Sequence, residues 1–157
     1  MYFSTMIIVT ILGAGNVAQH LYKVFSASVE ITVNQWYNRH LEHLQMFKND
    51  VDIIDDISLL KEADIYIIAV SDDAVAEISE QLPFSNKLIV HTSGSVNLHH
   101  LDKKNRRGVF YPLQTFSKNA ELNFNDVPIC IEVEHKADYH VLKDSAIDIV
   151  SPYHRVN

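Results

Sequence analysis

The sequence predicts a single α/β domain whose β-sheet is doubly wound and mostly parallel. Strand-like and helix-like segments alternate regularly along the 157 residues, and a glycine-rich turn, "GAGNVA" at residues 13–18, joins the first pair. Hydrophobic residues make up 47% of the chain and charged residues 21%, which is typical of a globular protein with a sizeable core. A chain of this length is expected to form one domain, or one domain with a stub of a second.

Strands are predicted where apolar, β-branched or aromatic residues run together, as in strands that are buried on both faces. The predicted strands are residues 7–12, 30–37, 51–54, 64–70, 87–92, 107–113 and 127–133. Helices are predicted where apolar residues recur at helical spacing, as Val17, Leu21 and Val24 do in the first helix. The predicted helical segments are residues 16–25, 41–47, 58–63, 71–82, 93–101 (a loop and a helix) and 137–150. Residues 117–126 are the most loop-like stretch.

Composition and charge argue against several classes of protein. The net charge of −7 disfavours a nucleic-acid surface, which requires an excess of basic residues. The single cysteine, Cys130, cannot form a disulfide within the chain and fits a reducing cytoplasm. The apolar opening, residues 1–12, is short and lacks the basic start of a signal peptide or membrane anchor. We expect a cytoplasmic protein that binds neither nucleic acid nor membrane.

The turn at residues 13–18 matches the G-x-G-x-x-A pattern of dinucleotide-binding sites, in the required place between a strand and a helix. Gly13 would form the tight turn, Gly15 would let the backbone approach a pyrophosphate, and Ala18 would let the helix pack closely on the strand. The phosphates would lie at the positive N-terminus of the helix. The alternative is a glycine turn that holds no ligand. The residues predicted to bind the cofactor in this turn are Gly13, Gly15, Asn16, Val17 and Ala18.

The end of the second predicted strand indicates which dinucleotide is bound. NAD sites usually carry an acidic residue there, about 20 residues beyond the glycine motif, to hold the ribose 2′-hydroxyl. This chain has Asn38 and Arg39 instead. A guanidinium pairs with a 2′-phosphate that a carboxylate would repel, so the pair predicts NADP as the cofactor and argues against S-adenosylmethionine. The alternative for Arg39 is a solvated surface arginine.

Polar residues also follow the later predicted strands, whose carboxyl ends should border the same cleft. Val70 ends the fourth predicted strand and Ser71 follows it; both are expected to contact the cofactor, although Ser71 or Asp72 could instead cap the next helix. The loop "TSGS" at residues 92–95 offers hydroxyls and amides to a substrate carboxylate. The residues predicted to bind substrate there are Thr92, Ser93, Gly94 and Ser95.

His91 is the candidate catalytic acid, because an imidazole titrates near neutral pH. The alternative is a packed, hydrogen-bonded side chain within the strand. The other histidines do not indicate a metal site. His99 and His100 are adjacent and face different sides of a helix. His40 and His43 share a helical face but lack an evident third ligand, so we predict no metal.

Five segments together resemble a known group of enzymes: "ILGAGNVA", "YNR", "IIAVSDDAV", "VHTSGSV" and "GVFYPLQTFSK". They resemble the two-domain NAD(P)-binding oxidoreductases related to pyrroline-5-carboxylate reductase, ketopantoate reductase and 6-phosphogluconate dehydrogenase. The chain is similar above all to an uncharacterised bacterial subfamily in which a Rossmann-like domain precedes a helical C-terminal domain. The resemblance covers essentially the whole chain, and "YPLQTFSK" after "HTSGS" is its most specific part.

The resemblance implies further roles for residues at the strand ends. In the pyrroline-carboxylate reductase branch, the loop after the fifth strand helps to hold the substrate carboxylate, which again indicates residues 92–95. A segment after the sixth strand lies by the nicotinamide and corresponds to Pro112, Gln114 and Thr115, with Gln114 replacing an asparagine. We therefore expect Gln114 to bind cofactor and Thr115 to bind substrate.

The resemblance also bears on domain organisation. These relatives are longer, and their C-terminal helices build a dimer and much of the substrate pocket. The resemblance therefore implies a homodimer, an NADP-binding domain over residues 1–150 and, at residues 151–157, a stub at the junction with a helical second domain. On this interpretation the sequence is either a fragment or a naturally short protein. Turnover would depend on groups from that second domain.

The sequence thus predicts the NADP-binding domain of an oxidoreductase that transfers hydride to or from a small, anionic carbonyl, imine or hydroxy-acid substrate. Two alternatives stay open. One is a non-catalytic module that binds or senses NADP(H) and acts with a partner chain. The other is an α/β scaffold without a ligand.

Overall fold

The computed structural model of this protein describes residues 6–112, 129–148 and 153–155. Within these ranges the strands are β1 (Ile7–Leu12), β2 (Ile31–Tyr37), β3 (Asp52–Ile54), β4 (Ile65–Ile68), β5 (Leu88–His91), β6 (Arg106–Pro112), β7 (Ile129–Val133) and β8 (Tyr153–Arg155). The α-helices are α1 (Asn16–Ala27), α2 (Asp72–Gln81) and α3 (Tyr139–Asp148). Short 3-10 helices span Leu41–Phe47, Ile57–Leu59, Leu98–His100 and Lys136–Asp138.

These strands form one sheet in the order β3-β2-β1-β4-β5-β6-β7-β8. Neighbouring strands are parallel except β6 and β7, which are antiparallel. From β1 the sheet continues through β2 to β3, and from β4 it continues in the opposite direction through β5. The carboxyl ends of β1 and β4 therefore form the switch point where such sheets bind ligands. The predicted α/β class, doubly wound and mostly parallel, is confirmed. The sequence does not predict β8, which lies within the expected stub at residues 151–157.

The hydrophobic core has two parts, one on each face of the sheet. α1 and α3 cover one face, where Phe25 and Leu142 are buried in the larger cluster. α2 covers the other face with the buried side chain of Val75. β1 contributes to both parts, because Ile11 belongs to the first cluster and Leu12 to the second. An uninterrupted apolar strand is therefore explained by burial on both faces.

Three segments that we expected to contain α-helix form short 3-10 helices instead. They lie within the predicted ranges 41–47, 58–63 and 93–101, or overlap them. Each of these short helices buries at most one side chain. Most of the stability of a protein helix comes from packing an apolar face, so segments this short gain little from forming an α-helix. The predicted loop at residues 117–126 lies outside the described residues.

Ion pairs hold the sheet together at the end opposite the switch point. Arg106 Nη1 lies 3.0 Å from Oδ1 of Asp138, whose side chain is buried in the 3-10 helix before α3. α3 begins at Tyr139, two residues later than predicted, directly after this 3-10 helix. Arg107 Nε donates to Glu134 Oε2 at 3.1 Å, and this hydrogen bonding lowers the pKa of the Glu134 carboxyl. The two pairs anchor β7 and α3 to the start of β6.

Candidate functional site

A cleft of about 880 Å³ opens at the carboxyl ends of β1, β2, β4, β5 and β6, around the switch point of the sheet. Its volume lies within the range of small-molecule sites, roughly 300–1,000 Å³. The cleft brings together predicted cofactor and substrate residues that are far apart in the sequence. Those among its lining residues are Gly13, Gly15, Asn16, Val17, Asn38, Val70, Ser71, Thr92, Ser93, Gly94 and Ser95.

Residues 13–18 form the glycine turn, and only glycine fits at its first position. Gly13 has a φ of +119°, a backbone conformation that residues with a side chain rarely adopt. A Cβ atom there would lie 2.1 Å from the carbonyl oxygen of Ala69 and 3.0 Å from Cγ1 of Val70. The glycine turn therefore packs directly against the backbone that follows β4.

Hydrogen bonds hold the glycine turn to its surroundings on both sides. The Gly13 amide donates to the carbonyl oxygen of Tyr37 at 2.8 Å. The Gly13 carbonyl accepts from the indole Nε1 of Trp36 at 2.5 Å. Gln19 Nε2 donates to the carbonyl of Ala14 at 3.0 Å. Contacts from β2 and α1 thus determine the path of the turn before any ligand binds.

Gly15 and the first turn of α1 border open space. Apart from its chain neighbours, no described atom lies within 4 Å of where a Cβ on Gly15 would be. α1 begins at Asn16 with no side-chain cap and no acidic residue in its first turn. Such a helix N-terminus offers backbone amides and a positive dipole end to an anion. The arrangement fits a pyrophosphate, and buried Ala18 lets α1 pack closely on the sheet beneath it.

The end of β2 carries charges of both signs. Asn38 lines the cleft, and its side-chain amide donates to the carbonyl of His40 at 2.8 Å. Arg39 is exposed and lies outside the cleft lining. Burial raises the pKa of the Tyr37 phenol; the charge of Arg39 opposes this shift and the carboxylate of Asp55 reinforces it. Arg39 and a carboxylate from the end of β3 therefore act on the same region.

The segment after β4 lines the cleft with Val70, Ser71 and Asp72. Ser71 occupies the N-cap position of α2, where its backbone carbonyl accepts from the Ala74 amide at 2.9 Å. Its side chain makes no capping hydrogen bond. An exposed hydroxyl in this position can reach a ligand, which is the role expected for Ser71.

The hydroxyl loop, defined as residues 92–95, lines the cleft after β5. The Ser93 amide donates to Nδ1 of His91 at 3.1 Å, and the Ser95 amide donates to Oγ of Ser93 at 3.1 Å. A Cβ on Gly94 would lie 2.4 Å from two ring carbons of Tyr111. The Tyr111 ring therefore packs on Gly94, and Tyr111 lines the cleft beside the loop.

His91 lies beneath the cleft and does not line it. Its side chain is completely buried, and its Nδ1 accepts a hydrogen bond from the Ser93 amide. The proton of the neutral ring is therefore on Nε2. Burial lowers the pKa of His91, and the backbones of Asn97 and Val96 offset part of this shift. Nε2 has no hydrogen-bond partner among the described residues, so the ring is packed as in our alternative but hydrogen-bonded on one side only. A completely buried ring does not contact a molecule in the cleft, and the role of His91 as catalytic acid stays a prediction.

Some lining residues were missed, and some predicted residues cannot be placed. Gln114 and Thr115 lie outside the described residues. Tyr111, His40 and His43 line the cleft but were not among the predicted site residues. Tyr111 lies near the end of β6, so the strand-end rule that indicated the other residues could have found it. The two histidines lie in and next to the 3-10 helix after β2, whose path the sequence pattern does not specify.

Two other kinds of site are absent from the described part of the chain. No helix there is long and apolar enough to cross a membrane. No group of three or more His, Cys, Asp or Glu side chains in the same residues is arranged to hold a metal ion.

Comparison with known proteins adds independent support for the cofactor class. A model of the family described as "NADP oxidoreductase coenzyme F420-dependent" matches residues 8–94, which is more than half of the chain. The match contains the glycine turn, the end of β2 and most of the hydroxyl loop. A search of curated protein sequences found no match.

Solved structures share the fold over nearly the whole chain. A protein of Bacteroides fragilis, proposed to be an NADP oxidoreductase, is 28% identical with a TM-score of 0.83, over 97% of this chain and 61% of that one. A pyrroline-5-carboxylate reductase of Coxiella burnetii is 19% identical with a TM-score of 0.72, over 98% and 60% of the two chains. An imine reductase of a Pseudomonas species is 14% identical with a TM-score of 0.72, over 98% and 57%. The chain thus spans about three fifths of the length of these structures.

Proposed function

The chain belongs to the family described as "NADP oxidoreductase coenzyme F420-dependent", and on this premise we propose that it is the NADP-binding domain of an oxidoreductase. The glycine turn carries the proposal, because Gly13 leaves no room for a side chain while Gly15 borders open space beside an uncapped helix. When bound, the cofactor supplies the hydride that these enzymes transfer. The protein supplies binding, orientation and electrostatics.

The pyrophosphate would be held by the N-terminus of α1. Gly15, Asn16 and Val17 line the cleft there, and their backbone amides lie at the positive end of the helix dipole. Val70 and Ser71 would contact the cofactor from the end of β4. Neutral carbonyl, amide and hydroxyl groups can bind the cofactor through hydrogen bonds, without adding charges to those that the cofactor carries.

Preference for NADP would arise at the end of β2. Asn38 lines the cleft without presenting a carboxylate to the adenosine ribose, and the next residue, Arg39, is exposed. A guanidinium can pair with the 2′-phosphate in a forked geometry. Asp55 lies close enough to raise the pKa of Tyr37, so the charge of Arg39 must outweigh a nearby negative charge. The preference for NADPH over NADH therefore depends on one side chain.

The substrate would be a small carbonyl, imine or hydroxy acid bound at the hydroxyl loop. The hydroxyl of Ser93 and the exposed backbone near Gly94 and Ser95 can bind a carboxylate. Several ionisable side chains line the cleft, and Tyr111 packs on this loop. Tyr111, rather than buried His91, is the proton donor that this arrangement favours.

A non-catalytic module that binds or senses NADP(H) is the second candidate function. The burial of His91, the side chain best suited by type to acid catalysis, favours this candidate. Such a module would share the cofactor site and would act with a partner chain. Turnover separates the two candidates. The family description pairs NADP with coenzyme F420, so the panel of acceptors for NADPH oxidation should include F420 as well as keto acids and cyclic imines.

Calorimetric titration with NADPH and NADH tests the proposed cofactor. The native protein should bind NADPH more tightly than NADH. Arg39→Ala should weaken NADPH binding by roughly 10- to 100-fold, the cost of lost hydrogen bonds to a charged group, and should leave NADH binding unchanged. Lys48→Ala is the matched control, because Lys48 is also an exposed cation but lies at the far end of the 3-10 helix Leu41–Phe47 and not next to Asn38. Equal affinities of the native protein for the two dinucleotides would overturn the assignment of NADP.

A further inference from the structure

Trp36 makes a contact with the glycine turn that the sequence motif does not require. It is the only tryptophan in the chain, and its side chain is completely buried at the end of β2. Its indole Nε1 donates a hydrogen bond of 2.5 Å to the carbonyl oxygen of Gly13. This side chain therefore joins the strand that ends at the adenosine ribose to the turn that faces the pyrophosphate.

Two aromatic rings hold the indole of Trp36 in place. The ring of Tyr22, from α1, stacks on it with a centroid distance of 4.6 Å and an interplanar angle of 28°. The ring of Phe47, from the 3-10 helix after β2, packs at 4.7 Å and 34°. Close packing restricts the indole to one orientation, so its N–H points at the Gly13 carbonyl without a further loss of side-chain entropy.

The contact acts on the peptide that leads into α1. Gly13 can adopt many backbone conformations, and a φ of +119° is not imposed by the residue itself. The bond from Trp36 fixes the direction of the Gly13 carbonyl, and Gly15 and the start of α1 follow within three residues. We propose that Trp36 is a positioning residue of the dinucleotide site, whose indole N–H holds the glycine turn in the conformation that binds pyrophosphate.

Loss of the Trp36 N–H should change dinucleotide affinity in a different way from loss of the Arg39 side chain. The pyrophosphate is common to NADPH and NADH, so loss of the Trp36 N–H should weaken both to the same extent. The size of the effect follows from population: affinity falls in proportion to the fraction of molecules whose turn is in the binding conformation. When the buried Gly13 carbonyl loses its hydrogen-bond donor, the turn favours other conformations. The fraction of molecules in the binding conformation should then fall by about tenfold. The inference rests on dinucleotide binding but not on the proposed preference for NADP.

Because the chain has one tryptophan, biosynthetic replacement can change this N–H alone. The benzothiophene analogue of tryptophan has nearly the same shape and lacks the N–H, whereas azatryptophan keeps it. Calorimetry should show NADPH and NADH affinities that are each about tenfold weaker in the benzothiophene protein and near native in the azatryptophan protein. Measurements well below the melting temperature separate this effect from a loss of stability, because a merely structural contact would lower the melting temperature without changing affinity.

Two variants repeat the test with ordinary residues. Trp36→Phe removes the N–H and keeps an aromatic ring, while Phe47→Leu disturbs the same aromatic packing and leaves the N–H in place. We expect the affinity loss in Trp36→Phe and not in Phe47→Leu. The inference is overturned by native affinities in the benzothiophene protein, by equal losses in the two variants, or by a loss confined to NADPH. If the cofactor proposal itself is wrong, the native protein binds neither dinucleotide, which is a different result.

Discussion

The glycine turn and the hydroxyl loop line the same cleft, follow parallel strands and each contain a glycine, but they are built differently. Backbone atoms restrict the glycine turn, since a Cβ on Gly13 would meet the carbonyl oxygen of Ala69. A side chain restricts the hydroxyl loop, since a Cβ on Gly94 would meet the ring of Tyr111. The first contact cannot move without shifting a strand, whereas a tyrosine ring can rotate.

This difference matches what each region is proposed to bind. A dinucleotide pyrophosphate is the same in every reaction, so a turn that presents backbone amides can be conserved in geometry while side chains vary around it. A substrate differs between enzymes, and a loop stabilised by its own serines and by Tyr111 can change with a few substitutions. The cofactor side of the cleft is therefore the more rigid and the substrate side the more adaptable.

Alanine at the two glycines provides the sharpest contrast and the largest expected effect. Gly13→Ala combines a positive φ with a backbone clash and should lower the free energy of unfolding by about 3 kcal/mol or more. In Gly94→Ala the nearest atoms belong to the Tyr111 side chain, which can move, and the substitution should cost about 1 kcal/mol. Urea denaturation of both variants measures the difference. Equal losses would contradict the view that backbone restricts one region and a side chain the other.

Removing the buried imidazole should have the next largest effect, and it should appear as a change in pH dependence. The pKa of His91 is lowered by folding, so below its ordinary value of about 6.5 the unfolded chain binds the proton more readily. Stability should therefore fall as the pH drops from 7.5 to 5, through the range in which the unfolded chain takes up this proton. In His91→Gln this fall should be smaller, because glutamine can accept from the Ser93 amide but does not titrate.

Denaturation curves for the two proteins at several pH values provide the measurement. The pKa values of Asp56 and Glu134 are also lowered, but those carboxyls titrate at lower pH and should affect both proteins equally. Parallel pH dependences between pH 7.5 and 5 would show that His91 is not the buried neutral group described here.

Truncation of Ser93 should have the smallest effect on stability. It should also show whether the hydroxyl loop binds substrate while the glycine turn binds cofactor. Ser93→Ala removes the hydroxyl that accepts from the Ser95 amide, at a cost of about 1 kcal/mol or less, because this amide is exposed to water. Dinucleotide affinity should be unchanged, since the loop is not proposed to hold the cofactor. If turnover is found with an anionic substrate, its KM should rise while kcat changes little. A weaker NADPH affinity in Ser93→Ala would contradict this assignment, because it would show that the hydroxyl loop contacts the cofactor.

The features that the sequence predicts are those determined by local constraints. The strand at residues 7–12, the tight turn at Gly13 and the close packing of Ala18 depend on neighbouring residues, so a motif can specify them. The bond from Trp36 to Gly13 depends on the pairing of β1 with β2, whose register shifts between Val9 and Thr10. No pattern within either strand predicts that shift.

Long-range packing explains what the sequence leaves open in the hydroxyl loop. Residue type made His91 a candidate acid, but its burial depends on which segments cover the end of β5. The contact between Tyr111 and Gly94 joins two strands through the sheet order, which had to be known first. Substrate groups are therefore harder to predict than cofactor groups, although both lie at strand ends.

The central claim, that the glycine turn is the pyrophosphate site, is tested most directly by Gly15→Ala. Gly15 has a φ of −77° and open space around its missing Cβ, so alanine should fold and change stability by less than about 1 kcal/mol. The added methyl group would occupy the space through which the backbone approaches the pyrophosphate. We predict a native melting temperature with affinities for NADPH and NADH at least about tenfold weaker, a loss of about 1.4 kcal/mol of binding free energy. A folded Gly15→Ala protein with native dinucleotide affinity would contradict the account.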